Sequence, residues 1–168
     1  NTKEDNEYKN VLAARGYWQA FQAVKTSITK ALEGNALKAK DPNGKNAGII
    51  AEDDYSAWYR ELFGPSVVAG IISAADLAGY RNRPVYIRQS MHTPPNHAAV
   101  RDLMPAFFEL LQNEESPEVR VVLGHFIFVY IHPFIVGNGR TGRFLMNLML
   151  AAGGYPWLVI PVEKRGCS

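Results

Sequence analysis

The sequence has little cysteine and no long apolar run. Its single cysteine, Cys167, lies next to the last of the 168 residues and cannot form an internal disulfide, so nothing indicates an oxidising compartment. The longest apolar stretch, VVLGHFIFVYI (121–131), is far shorter than the about 20 residues that span a bilayer. The polar N-terminus, NTKEDNEYKN, does not resemble a signal peptide. We therefore expect a cytoplasmic protein with no membrane partner.

A marked excess of one charge is also missing. The formal net charge is +2 and the basic residues are scattered along the chain, whereas a nucleic-acid interface needs clustered Lys and Arg. We therefore expect no nucleic-acid partner. Apolar residues are plentiful, at 47% of the chain, which is enough for a sizeable core. The length fits a single domain over residues 1–168, since ~150 residues per domain is usual.

Helical periodicity dominates the sequence. One helix is predicted at about 17–34, ending at a glycine, and the others at 52–64, 96–115, 116–132 and 139–150. Gly64-Pro65 is expected to end the second of these. The segment 116–132 is apolar nearly all round, which predicts a central buried helix.

One segment, 79–95, favours extended structure instead. Val85, Tyr86 and Ile87 lie between turn-forming residues on both sides, which predicts a small β-hairpin. The predicted fold class is therefore all-α with one β-hairpin attached.

The turn between the last two predicted helices carries the residues most suggestive of chemistry. Gly137 and Gly139 allow close approach of the backbone to a ligand, and the N-terminus of a helix attracts anions. Arg140 and Arg143, three residues apart on that helix, suit phosphate oxygens. His132, on the other side of the turn, is placed to take a proton from a hydroxyl that attacks a phosphate. Each feature alone is common in purely structural turns, but their combination in one turn favours a phosphate-transfer site.

A family resemblance supports this interpretation. The segment HPFIVGNGRTGR (132–143) resembles the signature HPFx(D/E)GNGRxxR of the Fic (filamentation induced by cAMP) family. LAGYRNRPVYIRQSMHTPP (77–95) resembles the flap hairpin of that family, and GRTGRFLMNLMLAAGGYPW (139–157) resembles the helix that follows the signature. The resemblance extends from about residue 17 to the end of the chain. Most Fic proteins transfer AMP from ATP to a Ser, Thr or Tyr hydroxyl of a target protein.

The resemblance implies roles for the matching positions. His132 would be the general base, and Phe134 would anchor the loop in the core. The phosphates of ATP would be held by a set of residues from the second half of the signature: Gly137, Asn138, Gly139, Arg140 and Arg143. The flap, Val85 to Ile87, would align the target protein by β-strand addition. The sequence leaves open whether the chain forms a homo-oligomer.

A second pattern indicates regulation. TKALEGN (29–35) fits the inhibitory pattern [S/T]xxxE[G/N] of the subclass with an N-terminal inhibitory helix. The resemblance implies that Glu33 pairs with Arg143 and competes with the γ-phosphate for it. The alternative is an ordinary helix-end glutamate before Gly34.

Val136 departs from the family pattern, in which Asp or Glu holds Mg²⁺ at this position. We therefore expect no protein metal ligand here, although the family uses Mg²⁺. Three hypotheses remain open: a weak transferase, a catalytically silent module that binds a nucleotide or a partner, and a substitution in an otherwise active protein. Fic domains usually continue past VIPVEKR (159–165) into another helix, so we also expect a shortened C-terminus.

Overall fold

A computed structural model describes residues 2–38, 46–87 and 90–159 of the chain. Five α-helices form in these ranges: α1 (Thr2–Lys38), α2 (Ala47–Val68), α3 (Val100–Asn113), α4 (Pro117–Ile131) and α5 (Asn138–Ala152). Two short 3₁₀ helices, Ala74–Leu77 and His97–Ala99, lie between α2 and α3. Within the described ranges, none of the helices is both long and apolar enough to cross a membrane.

The long helix α1 lies against α2, and the two run in opposite directions. At one end, Gly16 faces the backbone of Leu62 so closely that a Cβ atom would come 2.1 Å from the Leu62 carbonyl oxygen. Toward the other end, the Ser27 hydroxyl donates to Asp54 at 2.6 Å and accepts from the Trp58 indole N–H at 3.0 Å. This pairing fixes which part of α1 lies beside each part of α2.

The core lies between α2 and helices α3, α4 and α5, with α1 covering one side. Its largest fully buried side chains are aromatic or long aliphatic: Trp58, Tyr59, Phe108, Phe128, Phe144, Leu62, Met104, Leu111, Leu145, Leu148 and Met149. Burial of this much apolar surface is the main stabilising term for a helical domain. The all-α class predicted from the sequence is confirmed.

The caps explain where two of the helices begin. The Asn46 side chain accepts from Ile49 N–H at the start of α2, and its amide donates to Gln112 at the end of α3. Ser116 accepts from Val119 N–H at the start of α4, where Pro117 is the first helical residue, as the sequence predicts.

Two predicted helix bounds are wrong. The first helix, predicted at about 17–34, is α1 and runs from Thr2 through Gly34 to Lys38. The second was predicted to end at Gly64-Pro65, but α2 continues to Val68. A residue before proline normally avoids the helical region, because its Cβ clashes with the proline ring. Glycine has no Cβ, so Gly64 allows the helix to pass through Pro65.

The prediction that helix 116–132 is buried all round is wrong as well. Gly124, Phe128 and Ile131 are its buried residues. The side chains of Val122 and Phe126 are 65% and 63% exposed, so one face of α4 is open to solvent.

The predicted β-hairpin is not seen. No strand occurs in the described residues, and Val85, Tyr86 and Ile87 lie in a segment without regular structure. A ladder needs backbone N–H donors on both strands, and Pro84, Pro94 and Pro95 have none. The base of the segment is held instead by a side chain, because Arg81 donates to the Pro95 carbonyl.

Candidate active site

The turn between α4 and α5 places a histidine at the end of one helix and two arginines at the start of the next. His132 ends α4 with a left-handed backbone, φ 53° and ψ 58°, and its N–H donates to Phe128 O. This conformation is uncommon for a residue other than glycine, costs about 1–3 kcal/mol, and persists only where the surrounding structure imposes it. The reversal turns the chain out of α4 immediately after the histidine.

The hydrogen bonds of His132 determine which ring nitrogen can act as a base. Its Nδ1 lies 3.1 Å from the carbonyl oxygen of Val129. Because a carbonyl oxygen only accepts, Nδ1 carries the proton of the neutral ring and Nε2 keeps its lone pair. Nε2 is therefore the atom that can take a proton from a hydroxyl.

The pKa of His132 is lowered, first because burial disfavours the imidazolium ion. Electrostatic interactions with Arg81 and His92 lower the pKa further, and the hydrogen bond to Val129 opposes the shift. The ring is therefore neutral at pH 7, which is the state that a general base requires.

The loop after His132 is fixed by a pair of hydrogen bonds. The buried Asn138 side chain accepts from the N–H of Phe134 and donates to the carbonyl of the same residue, both at 2.8 Å. The Phe134 ring is buried and stacks on Tyr59 with a centroid distance of 3.8 Å. Asn138 and Phe134 thus give the turn a single shape, and any contact of Asn138 with a phosphate is left to its backbone.

Gly137 is the N-cap residue of α5, and its environment admits no other residue without strain. Its φ is 81°, and an added Cβ would lie 2.6 Å from the ring of Phe63. The Gly137 carbonyl accepts from both Arg140 N–H and Thr141 N–H. The N–H groups that the helix leaves for an anion are therefore those of Asn138 and Gly139.

The two arginines lie over this first turn of α5. The Arg140 guanidinium lies 4.8 Å from the centroid of the Phe63 ring, a cation–π contact, and burial lowers its pKa, with a smaller contribution from Arg143. A methyl group on Gly139 would lie 3.6 Å from Arg143 Nη1. Both cations thus lie next to the open N–H groups, which is the arrangement that binds a chain of phosphates.

A small cavity of about 220 Å³ opens beside these arginines. It is lined by residues of α1, α5 and the C-terminal segment: Tyr17, Arg140, Arg143, Asn147, Trp157, Leu158 and Val159. Asn147 holds the C-terminal segment against α5 through two bonds to the Leu158 backbone. Pockets for drug-sized ligands occupy about 300–1,000 Å³, so this cavity suits part of a nucleotide rather than the whole.

Glu33 and the flap lie outside this constellation. Glu33 is exposed, and its carboxylate forms no hydrogen bond or ion pair with any described residue. It lies sixteen residues after Tyr17 on α1, which is about 24 Å farther along the helix at 1.5 Å per residue. Tyr86, in the flap, is 83% exposed. The structure therefore brings together the residues of the signature, but not Glu33 and Arg143.

Val136 lies in the same turn and is 40% exposed. Its side chain is purely aliphatic, so it has no oxygen to offer a metal ion. The described residues also contain no group of three or more His, Cys, Asp or Glu side chains that could hold one. The site as built does not fit a Mg²⁺ ion held by the protein at this position.

The sequence profile of the Fic/DOC family matches residues 49–150, more than half of the chain. The chain belongs to the Fic/DOC family. The match covers α2 to α5 and the whole turn described above, whereas α1 lies before it. The family resemblance inferred from the sequence is thereby confirmed, while the autoinhibited subclass stays a prediction.

Relatives of this Fic/DOC chain include the protein adenylyltransferase Fic of Drosophila willistoni, 38% identical over 102 residues, and that of Drosophila grimshawi, also 38% identical over 102 residues. Each match covers 58% of this chain but only 20% and 21% of the respective relative, so the chain spans about a fifth of the length of these relatives. The solved structure of Fic-1 (aa134–508) from C. elegans aligns with 91% of the present chain and with 40% of its own chain, at a TM-score of 0.64. At 24% identity, this likeness shows the fold alone.

Three residues of the Fic/DOC site are not apparent from its signature. Tyr17 reaches the arginines from α1, Phe63 supports Arg140 from α2, and Arg81 donates to the His132 carbonyl at 2.8 Å. Only tertiary packing brings them to the turn, so periodicity gave no signal for them. Arg81 stands out only because it is buried, and the burial of a single arginine cannot be inferred from a sequence.

Proposed function

We propose that the chain is a protein adenylyltransferase, which transfers AMP from ATP to a Ser, Thr or Tyr hydroxyl of a target protein. One observation carries the proposal: a neutral histidine with a free Nε2 lies in the same turn as an open helix N-terminus and two arginines. The adenylyltransferase names of the Drosophila relatives support it.

Each group has one task in the proposed reaction. The phosphates lie on the N–H groups of Asn138 and Gly139, and Arg140 and Arg143 neutralise their charge. His132 Nε2 takes the proton of the target hydroxyl as its oxygen attacks the α-phosphorus. The bond from the α-phosphorus to the bridging oxygen then breaks, and pyrophosphate leaves.

The described part of the flap is the proposed docking site for the target protein. Residues 84–87 have no regular structure, and the backbone groups of Val85 and Tyr86 are the ones proposed to pair with an added strand, because Pro84 has no N–H and the Ile87 carbonyl accepts from Ser90 N–H at 3.2 Å. This docking mode, a homo-oligomeric assembly and a cytoplasmic location stay predictions.

Autoinhibition by Glu33 depends on where α1 places this residue relative to the two arginines. Competition with the γ-phosphate requires the Glu33 carboxylate to reach Arg143, and in this structure α1 presents Tyr17 there instead. Inhibition within one chain would therefore need a different placement of α1.

A second candidate function is a catalytically silent module that binds a nucleotide or a partner. Val136 favours it, because the carboxylate that the family resemblance places at this position is replaced by a branched alkyl group. The presence of His132, with its proton on Nδ1, favours a catalytic function instead.

Intact-mass spectrometry after incubation with ATP and Mg²⁺ separates the two functions. The parent chain is compared with Val136→Asp, and Val136→Asp/His132→Ala is the matched control. We expect an added AMP in Val136→Asp, less in the parent, and none in the control, since loss of a positioned base costs about 10²–10⁴-fold in rate. AMP in the control as well would remove His132 from the base role, and no AMP in any sample, with ATP still bound, would favour the silent module.

A further inference from the structure

Arg81 is a buried arginine whose bonded partners are backbone carbonyls. Its side chain is 3% exposed, and no carboxylate of the described residues pairs with it. Arginine is almost never fully buried unless its charge is compensated. The side chain donates from Nε to His132 O at 2.8 Å, from Nη2 to Ile131 O at 3.3 Å and to Pro95 O, and from Nη1 to Arg83 O at 3.4 Å.

These bonds converge on the end of α4, where the chain reverses. The last carbonyls of a helix have no partner within the helix. Arg81 satisfies Ile131 O and His132 O with its side chain, and its own N–H donates to Pro133 O at 2.8 Å. Three consecutive carbonyls are therefore held by one residue, on both sides of the left-handed His132.

The planar guanidinium suits this task, because it presents its N–H groups in a fixed fork. A left-handed residue other than glycine persists only where its surroundings impose that conformation. The Arg81 bonds supply the constraint at His132, and the Pro95 bond ties the same point to the segment after the flap.

We propose that Arg81 is the positioning residue of the transferase site: it fixes the backbone reversal at His132 and thereby the direction of the imidazole toward the target hydroxyl. The inference rests on the proposed function, in which His132 is the base. It also links the base to the flap region, since one side chain contacts the carbonyls of both Pro95 and His132.

The charge of Arg81 provides a readout that does not depend on transfer. The titratable or charged groups that act on His132 are Arg81 and His92, and both oppose the imidazolium ion. Removal of one cation raises the pKa of His132. Its titration then moves to higher pH, and the acid limb of the activity moves with it, because activity is lost as the pH falls through that pKa.

The test uses Arg81→Gln and Arg81→Lys in the full chain, with Arg83→Gln as the control, because the Arg83 side chain is exposed two residues away. The titration and tautomer of His132 are followed by NMR and assigned with His132→Ala. In the Val136→Asp background, kcat and KM for ATP are measured as well. The thermal midpoint and the Trp58 indole signal report whether each variant is folded.

We expect Arg81→Gln to move the His132 titration to higher pH and to lower kcat at least about tenfold, part of the about 10²–10⁴-fold that a positioned base supplies. The KM for ATP should stay within about threefold, because the phosphate-binding groups are untouched. Arg81→Lys keeps the charge but loses the fork, so it should lower kcat while the titration stays near that of the parent. Arg83→Gln should change neither.

Two results would overturn the proposal: a folded Arg81→Gln with parental titration and kcat, or an Arg81→Lys with full kcat. If Arg81→Gln fails to fold, Arg81→Lys decides the matter by its kcat. Should Val136→Asp itself transfer no AMP, the proposed function fails, while the His132 titration and tautomer in the Arg81 variants still support or reject the positioning role.

Discussion

At the scale of single residues, the turn between α4 and α5 depends on two consecutive backbone reversals. His132 and Gly137 are both left-handed, and four residues separate them. The first reversal is imposed on a side chain that the proposed chemistry needs, so it requires an external constraint, which Arg81 supplies. The second carries no side chain and leaves the helix N-terminus open.

Gly137→Ala tests how strictly the second reversal is specified. The alanine would have to keep the left-handed backbone of Gly137, and its methyl group would lie 2.6 Å from the Phe63 ring. Left-handed strain costs about 1–2 kcal/mol and overpacking about 1–3 kcal/mol, so we expect the free energy of unfolding in urea to fall by about 2–5 kcal/mol. Gly70→Ala is the matched control: Gly70 has φ 69° but no atom near the added group, and should cost only about 1–2 kcal/mol. Equal losses in the two variants would show that Phe63 yields without cost.

At the scale of elements, local signals predicted some helix ends and missed others. Ser116-Pro117 fixed the start of α4, because a capping hydroxyl and a proline act within one turn of the chain. The Gly64-Pro65 prediction failed, since the glycine removes the clash that makes proline a helix terminator. The prediction of a hairpin was wrong because its extended residues have prolines on both sides.

The site divides in the same way. The signature predicted that His132, the start of α5 and both arginines lie together, since they fall within twelve residues of one turn, while their roles in transfer stay predictions. Tyr17 and Arg81 come from more than fifty residues away along the chain and depend on how the helices pack. The same packing shows where α1 meets the site, which the pattern around Glu33 does not reveal.

Helix α1 therefore supplies Tyr17 to the arginine cavity, while Glu33 lies several turns farther on. We expect Tyr17→Ala to weaken ATP binding by about 1 kcal/mol, since it removes one wall beside two cations. Tyr8→Ala, an exposed tyrosine nine residues earlier on α1, should have no effect. Glu33→Gly should bind ATP as the parent does in the arrangement seen here. Isothermal titration calorimetry measures all four proteins, and tighter binding by Glu33→Gly would support inhibition by Glu33 and a mobile α1.

At the scale of the whole molecule, α1 is joined to the family-matched region through the core. The match covers residues 49–150, yet Ala20, Val24 and Ala31 of α1 are buried in the same cluster as α2 to α5. Helices that share one core unfold together when a single domain behaves as a two-state system. We infer that the arginine cavity, which α1 helps to line, exists only while the whole core is intact.

Gly16→Ala tests this coupling at the closest contact between α1 and α2. Alanine is the better helix former by about 1 kcal/mol, but its Cβ would lie 2.1 Å from the Leu62 carbonyl oxygen, a backbone atom that cannot move away alone. Overpacking costs about 1–3 kcal/mol or more, so we expect a net loss of stability in urea, whereas the exposed neighbour Arg15→Ala should change it by less than about 0.5 kcal/mol. Far-UV circular dichroism, which reports helix content, and the assigned NMR signal of the buried Trp58 indole, which reports the core, should shift to the same lower midpoint. Separate midpoints would mean that α1 detaches before the core unfolds.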